Sequence, residues 1–428
     1  MDTAYLEDRI LNRDIIKAIK EVEAVKYDTT KTTLSILNLN CRFIPEIPSH
    51  VKHFNAIGTY IIRLPILPYG LKSLICRCAS LEELPELPEG LVELDCSYTF
   101  LKYLPKLPSS LRILKCEGCE SLLELPDLPE NLEEIHCKKM YNLKSLPTLP
   151  KRLKILNVEN NSLTSLPNLP KNLEVLDCSF NPITKLPPLH QGLKILECSC
   201  TKITHIPTLK KAVNLESIHF YCTPLVHIPA LPQGLKTLNC CGSPVKKIPE
   251  LPEGLLKFDC SYAHITEVPR LPSTLLDLNC NNTRVKKLPR LPEGLLELSC
   301  CYGGSLQELP DLPSTLRKLE CESAPIQEIP ELPPNLSYIR FENTGILKIP
   351  ELKEAVLALF DKNKKELSAF ITKDKIDAYN KKWCEWKYKK QAQERCRAVK
   401  EELMATVWHP RRVEKLVDTY SLDVLEVL

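Results

Sequence analysis

Residues 91–110 read LVELDCSYTFLKYLPKLPSS, and this stretch decides the fold because near-copies of it fill most of the 428-residue chain. The alternation of Leu94 and Cys96 directs both side chains to one face of a short strand. One unit of about 20 residues cannot bury such a face alone, so the units must stack on one another. Fourteen clear copies, at steps of 20 to 22 residues, begin at Leu71, Leu91, Leu111, Leu132, Leu153, Leu173, Leu193, Leu215, Leu235, Leu255, Leu275, Leu295, Leu316 and Leu336.

Two degenerate copies, at residues 34–48 and 51–68, extend the array to about residues 34–352. Each copy adds one strand, which predicts a parallel sheet with an apolar core on one side. We call the other side of the strands the sheet face and expect it to be concave. The returning Leu-Pro-x-Leu-Pro segment predicts an extended, polyproline-like convex side, because proline fixes φ and lacks an amide proton.

A small polar residue recurs five positions after the strand leucine, as Thr99 does after Leu94. Its side chain can satisfy backbone groups where the chain turns out of the strand. The predicted polar ladder consists of Thr99, Asn161, Asn181, Thr201, Thr223, Ser243, Thr283 and Thr344, with Cys119 at the same position.

The unit resembles the leucine-rich repeats of about 20 residues in bacterial type III secreted effectors of the YopM and IpaH class. Its Leu-Pro-x-Leu-Pro return and Leu-x-x-Leu-x-Cys strand are more similar still to leucine-rich-repeat proteins of amoeba-infecting, mimivirus-like giant viruses. The tail at residues 408–412, WHPRR, also resembles motifs near the ends of other giant-virus proteins. The resemblance implies an α/β solenoid, a leucine-rich-repeat horseshoe of about 16 short repeats, and a binding module, because the repeats of neither group are catalytic.

Eleven of the twenty cysteines occupy the Cys96 position of the repeat. Val158, Phe220 and Phe341 fill the same position in other copies, which indicates an apolar core site where a thiol acts as a small hydrophobe. In-register side chains run alongside each other, which suits a disulfide poorly, so we expect reduced thiols in a reducing compartment. The eleven are Cys76, Cys96, Cys116, Cys137, Cys178, Cys198, Cys240, Cys260, Cys280, Cys300 and Cys321.

A zinc site is the alternative for one local cluster, in which Cys198, Cys200 and Cys222 come from adjacent units with His205 and His219 nearby. Cys198 should point into the core and His219 should lie on the sheet face, so these ligands would not share a centre. We therefore predict no metal site.

Enzyme signatures are absent from the sequence, which has no Gly-rich phosphate loop, nucleophile elbow or His-Glu-x-x-His motif. The ubiquitin ligases among the bacterial effectors use a Cys-x-Asp motif after the repeats, and neither Cys384 nor Cys396 matches it. We predict no catalytic residues and no cofactor. An effector-type enzyme or a ubiquitin-ligase adaptor acting through residues 353–428 stays open as the alternative.

The charge and the apolar runs limit the partners and the location. The formal net charge is +3 and the pI about 8.0, which gives no reason to expect a nucleic acid or an anionic membrane. No segment looks like a signal peptide or a membrane span. We expect an intracellular protein located in the cytoplasm of a host cell. The sequence makes no prediction of its oligomeric state.

The sheet face leans acidic, with thirteen acidic and six basic residues at the positions equivalent to Glu93, Asp95 and Ser97. This excess argues against a nucleic-acid cradle and favours a protein partner with a basic or mixed surface. The alternative is a solvated face with no partner. Because aromatic and arginine side chains often anchor interfaces, the candidate partner-binding residues are Glu93, Asp95, Asp177, Glu197, His219, Tyr221, Asp259, Tyr338 and Arg340.

The two ends differ from the repeats. Residues 353–428 are predicted to form a C-terminal helical region, either a cap or a basic docking element, and residues 208–214 lose a Leu-Pro and gain two residues, which predicts a kink or bulge. Residues 1–33 are predicted to form an N-terminal helical cap, with apolar residues at helical spacing: Leu6, Ile10, Ile15, Ile16, Ile19 and Val22.

The sequence thus favours a protein-interaction scaffold that binds a macromolecule on its concave face. A structural role in a virion is a third possibility that the residues do not decide.

Overall fold

The computed structural model describes residues 3–78 and 80–340, with the side chains of the N-terminal helix described from Arg13 onward. The chain divides into two compact units, residues 1–244 and 245–428. In the described part, the first unit contains α1 (Thr3–Lys26), β1 (Thr33–Ser35), β2 (His53–Asn55), β3 (Ser73–Ile75), β4 (Glu93–Asp95), β5 (Ile113–Lys115), β6 (Glu134–His136), β7 (Ile155–Asn157), β8 (Val175–Asp177), β9 (Ile195–Glu197), β10 (Ser217–His219) and β11 (Thr237–Asn239). The second contains β12 (Lys257–Asp259), β13 (Asp277–Asn279), β14 (Glu297–Ser299), β15 (Lys318–Glu320) and β16 (Tyr338–Arg340).

Within each unit the strands pair in chain order, and every pair is parallel and in register. In the first unit Asp177 of β8 lies opposite Glu197 of β9, which in turn lies opposite His219 of β10. In the second unit Glu320 of β15 lies opposite Arg340 of β16. The predicted parallel solenoid with one strand per repeat is confirmed.

The core lies on one side of the strands, as the alternation predicts. Leu91, Leu94, Cys96 and Leu101 are all fully buried, and the same positions are buried in the other described repeats. The return segments have no regular strand or helix in the described residues, apart from one 3-10 turn at Leu209–Lys211. The proline pattern therefore predicts the extended return correctly.

The polar ladder ties each turn to the backbone. Thr99 donates from Oγ1 to the carbonyl of Cys96 at 2.7 Å, and Asn161 donates from Nδ2 to the carbonyls of Cys137 and Val158, both at 2.8 Å. These side chains are buried, so each pairing satisfies a carbonyl that would otherwise be desolvated without a partner. Thr344 and Phe341 lie outside the described residues.

The residue before each ladder position has a left-handed backbone. The angle φ is +59° at Tyr98, +53° at Phe180, and +52° at both Cys200 and Cys222. Its amide donates to a carbonyl of the next turn, as Phe180 does to Ser199 at 2.8 Å. We call the side chains at this position the left-handed column. Because the backbone of the turn imposes this conformation, aromatic and thiol side chains occupy it at a cost in strain.

The insertion at residues 208–214 forms the 3-10 turn, in which the Thr208 hydroxyl accepts from the amide of Lys210 at 3.4 Å. Leu209 is buried, and Ser217 of β10 still lies opposite Ile195 of β9. The extra residues are therefore accommodated on the return side, and the sheet shows no shift of register where we predicted a kink or bulge.

Helix α1 packs beside β1 through Ala18, Val22 and Val25, which are buried. Ile16 and Ile19, which helical spacing placed with Val22, are instead 54% and 39% exposed. The buried stripe runs through the small Ala18, which allows a close approach of the helix. The predicted C-terminal helical region, residues 353–428, lies outside the described residues, and the domain boundaries at residues 33 and 352 stay predictions.

Candidate interaction surface

The first and third residues of each strand point to the sheet face, while the middle residue is buried. On β7, for example, Ile155 and Asn157 are half-buried on this face and Leu156 is fully buried. The same alternation places all nine candidate binding residues on or next to the sheet face, in two groups that belong to the two units. Their roles in binding stay predictions.

Asp95 lies on the sheet face but is only 2% exposed. Arg77 donates to its Oδ2 from Nε at 2.9 Å and from a terminal nitrogen at 2.7 Å, and the amide of Ser97 donates to Oδ1 at 3.1 Å. Both oxygens of this carboxylate therefore accept hydrogen bonds from within the chain. Asp95 offers a partner little surface, and its contacts explain why an acid is tolerated there.

Neighbouring acids in β3 to β7 have basic partners as well. Glu93 accepts from Lys115 Nζ at 3.2 Å and from the Ser73 hydroxyl at 3.0 Å. Lys138 lies 3.3 Å from Glu159 in the next turn. The in-register stacking of the turns brings opposite charges together in this stretch. The acidic excess counted from the sequence is therefore largely neutralised there.

Asp177 and Glu197 lie side by side on β8 and β9 and have no lysine or arginine ion-pair partner among residues 3–78 and 80–340. Asp177 accepts from the amide of Ser179 at 3.1 Å and from Asn157 Nδ2 at 3.2 Å. Burial, together with the nearby charges of Asp177 and Glu159, raises the pKa of Glu197 to about 7. Burial also raises the pKa of Asp177, against its hydrogen bonds with Ser179.

His219 and Tyr221 complete this part of the face. His219 Nδ1 lies 3.3 Å from Glu197 Oε2, and its Nε2 lies 2.9 Å from the Ser217 hydroxyl. The Tyr221 ring meets the ring of Phe180 edge to face, with centroids 6.3 Å apart. We call Asp177, Phe180, Glu197, His219 and Tyr221 the acidic-aromatic patch. Sequence analysis missed Phe180, which belongs to the left-handed column.

The candidates in the second unit are engaged with their neighbours. Asp259 accepts from the amide and hydroxyl of Ser261 at 2.9 and 2.6 Å. The Lys318 ammonium lies 5.6 Å from the centre of the Tyr338 ring, and Arg340 lies 2.9 Å from Glu322. Tyr338 and Arg340 are therefore held in place before any partner arrives, which keeps the entropy cost of using them low.

The cysteines at the Cys96 position are buried in the core, as expected from the residues that replace them. Burial raises the pKa of Cys178 well above its usual range and that of Cys280 to about 12, so these thiols are unreactive near neutral pH. Cys116 Sγ and Cys137 Sγ lie 2.7 Å apart in adjacent turns. Cys119 takes the place of Thr99 in the ladder and reaches the carbonyl of Cys96 at 3.1 Å.

The cluster considered for zinc is split between surfaces. Cys198 is buried, Cys200 is half-buried and Cys222 is exposed, while His219 contacts Glu197 and Ser217. In the part of the chain that the structure describes, no group of three or more His, Cys, Asp or Glu side chains is arranged to hold a metal ion.

The left-handed column is the feature of this surface that sequence reasoning overlooked. Its members are not of one residue type, since Tyr98, Phe180 and Cys200 all occur there. A weak signal exists in Gly58, Gly118, Gly242, Asn160 and Asn282, because glycine and asparagine favour positive φ. That signal becomes visible only when the repeats are aligned on this position.

No protein-family model and no curated protein matches the chain. Among solved structures, YopM from Yersinia enterocolitica is similar over 78% of this chain and 83% of its own, with 29% identity and a TM-score of 0.64. YopM from Yersinia pestis, described as a leucine-rich effector protein, covers 79% of this chain and 91% of its own, with 28% identity and a TM-score of 0.66.

A leucine-rich-repeat protein of Leptospira interrogans shares the fold, with 19% identity, a TM-score of 0.54, and 79% of this chain and 91% of its own covered. In the described residues, no helix is both long and apolar enough to cross a bilayer. The chain therefore has the leucine-rich-repeat solenoid fold with repeats like those of YopM, an architecture typical of protein-interaction scaffolds rather than of enzymes.

Proposed function

We propose that this chain is a non-catalytic scaffold that binds a basic segment of a protein partner on its concave sheet face, at the acidic-aromatic patch. The observation that carries the proposal is the pair Asp177 and Glu197, two adjacent carboxylates without a lysine or arginine ion-pair partner in the described residues. Other acids of the same unit, such as Asp95 and Glu159, have one. A cation from a partner would supply the missing charge.

The electrostatics of the patch favour a cationic ligand. The raised pKa values of Glu197 and Asp177 mean that ionising each carboxyl is less favourable in the isolated chain than it would be in water. A guanidinium group would stabilise both ionised forms and accept the bidentate geometry that carboxylates offer. The nearby rings of Phe180 and Tyr221 add faces on which such a group can stack.

The remaining candidates are assigned smaller roles in the proposal. Asp259, Tyr338 and Arg340 offer a second, mixed-charge contact surface on the second unit. Glu93 and Asp95 are already paired within the chain, so they shape the face rather than attract a charge.

The proposal also covers the origin of this chain and its location in the cell. The Leu-Pro-x-Leu-Pro returns and the cysteine-bearing strands support a giant-virus protein, acting in the cytoplasm of the infected cell. The buried, high-pKa thiols suit such a reducing compartment.

A fluorescein-labelled oligoarginine peptide is the first probe, with binding to the full chain followed by fluorescence anisotropy at low and at physiological salt. We expect the double variant Asp177→Asn, Glu197→Gln to bind about tenfold more weakly, equivalent to about 1.4 kcal/mol. The control is Glu216→Gln, which removes an exposed carboxylate paired with Lys236 elsewhere in the unit. Equal loss in both variants would point to a general charge effect and refute the patch.

The same three proteins then serve as baits for cross-linking and mass spectrometry in host-cell extract. A genuine partner should be lost from the double variant, be retained by the control, and cross-link through lysines next to arginine-rich sequence. A partner retained by all three, cross-linked away from β8 to β10, would contradict the proposal.

A further inference from the structure

Two core cysteines in adjacent turns of the first unit approach each other more closely than in-register stacking predicts. Leu114 of β5 lies opposite Ile135 of β6, and Cys116 and Cys137 each follow two residues later. The Sγ atoms of Cys116 and Cys137 are 2.7 Å apart, and both side chains are fully buried. These two sulfurs therefore converge, although equivalent side chains of a parallel sheet generally run alongside each other.

The equivalent thiols of the two preceding turns point to the backbone instead. Cys76 donates to the carbonyl of Asp95 at 3.5 Å. Cys96, in the next turn, donates to the carbonyl of Lys115 at the same distance. Cys76 and Cys96 are therefore an adjacent pair with the same burial as Cys116 and its neighbour but with a different orientation of the sulfur.

A methionine packs against the converging pair. Met140 occupies the position of the polar ladder in the turn after β6, and its side chain is fully buried. The Cys116 thiol donates to Met140 Sδ at 3.7 Å. Because a methionine side chain is flexible and polarizable, it adapts to small movements of its neighbours. The Cys116 sulfur can therefore shift toward Cys137 against a neighbour that yields.

The separation of the two sulfurs is close to that of a covalent bond. A disulfide joins sulfurs about 2.05 Å apart, on Cα atoms about 4.4 to 6.8 Å apart. Neighbouring strands lie about 4.8 Å apart, within that range. The Cys116 and Cys137 sulfurs need to approach by only about 0.7 Å more, which a small rotation of either side chain provides. The backbone hydrogen bonds between the two turns can then stay in place.

We propose that Cys116 and Cys137 are a site of oxidative modification, at which a peroxide forms a disulfide between adjacent turns. Two thiols and one hydrogen peroxide give one disulfide and two water molecules. Both sulfurs are oxidised, the oxygen–oxygen bond of the peroxide is broken and its oxygens are reduced, and the two thiol protons leave in the water. The cross-link joins residues 21 positions apart and closes the solenoid against opening between β5 and β6, because each repeat contacts only its neighbours.

The reaction needs a sustained supply of oxidant. A hydrogen bond with Cys137 and burial both raise the pKa of Cys116. Since the thiolate is the form that attacks a peroxide, oxidation is slow at neutral pH and becomes faster as the pH rises. The pair therefore stays reduced in an ordinary reducing cytoplasm and responds only to oxidising conditions.

The test exposes the folded full chain to hydrogen peroxide, removes the excess with catalase and blocks the remaining thiols with N-ethylmaleimide in denaturant. Digestion with trypsin and endoproteinase Glu-C separates Cys116, Cys119 and Cys137 from one another, so mass spectrometry identifies which sulfurs are joined. The variants are Cys116→Val and Cys137→Val, since Val158 fills the same position of the repeat. The matched control is Cys119→Thr, which introduces the residue found at Thr99 and leaves the pair intact.

We expect one new linkage, between Cys116 and Cys137, in the wild type and in Cys119→Thr, while Cys76 and Cys96 still carry N-ethylmaleimide. Each valine variant should lose the linkage. The amides of β5 and β6 should exchange hydrogen with solvent more slowly in the oxidised wild type than after reduction with dithiothreitol.

Three results would overturn the proposal. The first is a folded wild type that forms no linkage between Cys116 and Cys137. The second is an equal yield of the linkage between Cys76 and Cys96, or an equal yield from the chain unfolded in urea, because the folded geometry would then not select the pair. The third is a linkage that forms without slowing exchange at β5 and β6.

Discussion

The stretches β3 to β6 and β7 to β10 have the same backbone and core, but they treat charge on the sheet face differently. In the first stretch, Arg77 covers Asp95 and Lys115 pairs with Glu93. In the second, Asp177 and Glu197 stand next to each other, and burial raises the pKa of both. The comparison shows that the repeat fixes where side chains point. The pairing across turns decides whether a charged side chain on the sheet face already has a partner within the chain.

The difference has a clear origin in the alignment of turns. Arg77 lies two positions beyond β3, in the turn that precedes Asp95. The two residues are 18 positions apart in the sequence. The equivalent residue 18 positions before Glu197 is Ser179, which cannot neutralise a carboxylate. The residue two positions beyond one strand therefore decides whether the carboxylate that ends the next strand has a charge partner.

Breaking the ion pair of Arg77 and Asp95 in the first stretch should have the largest effect, on the stability of the chain. Arg77→Met leaves the carboxylate of Asp95, 3% exposed, without its charge partner. We expect a loss of about 3 kcal/mol in the free energy of unfolding, at the lower end of values for broken buried pairs because Arg77 is 40% exposed. Urea denaturation of the full chain measures it.

The control for this change is the double variant Arg77→Met, Asp95→Asn. Asparagine can keep the bond from the amide of Ser97, as Asn279 does for the amide of Asn281 at 3.2 Å. Most of the stability should return. A single variant as stable as the wild type would show that Asp95 is neutral or solvated without Arg77.

The pH dependence of stability should come next in size. The folded-state pKa of Glu197, about 7, lies above its ordinary value of 4.5, so its protonated form favours folding. This contribution is fully present below pH 4.5 and is lost as the pH rises through 7. We expect Glu197→Gln to stabilise the chain by about 1 kcal/mol at pH 8 and to change little at pH 4.5, measured by urea denaturation at both values.

Glu216→Gln is the matched control for the pH series, since its hydrogen bond with Lys236 lowers the pKa of Glu216 at an exposed site. Its stability relative to the wild type should not rise between the two pH values. A similar rise in both variants would assign the effect to overall charge instead of the burial of Glu197.

Transferring the pairing into the second stretch should have the smallest effect. Ser179→Arg places a guanidinium group 18 residues before Glu197, in the geometry of Arg77 and Asp95, although it removes the hydroxyl that accepts from the amide of Ser199 at 3.2 Å. We expect binding of the oligoarginine peptide to weaken about threefold, because the patch then carries its own cation. Anisotropy titrations give the ratio, and Ser179→Ala serves as control. Unchanged affinity would indicate that the peptide binds elsewhere.

The fold could be predicted from sequence because its determinants are local and repeated. Leu94, Cys96 and Thr99 each have an equivalent in most turns, so alternation and spacing identify the strand, the core and the ladder. The pairing of Arg77 with Asp95 could not be predicted in the same way, since it depends on side-chain reach between turns. The counted acidic excess therefore overestimated the charge that the face presents.

The N-terminal helix shows a second limit. Helical spacing grouped Ile16 and Ile19 with Val22, but the packed stripe uses Ala18 instead. A small residue permits close approach of helix and sheet, which no hydrophobicity pattern signals. The left-handed column was missed for a related reason, because its members share a backbone angle and not a chemical type.

The 3-10 turn at Leu209–Lys211 bears on how such an array can change in length. Two additional residues are accommodated there while β9 and β10 keep their pairing. Insertions and deletions between the second proline and the next strand should therefore be tolerated during divergence, whereas a single-residue change inside a strand would turn every later side chain of that strand over. The return side is the part of each repeat where this chain can vary its length without altering what it displays.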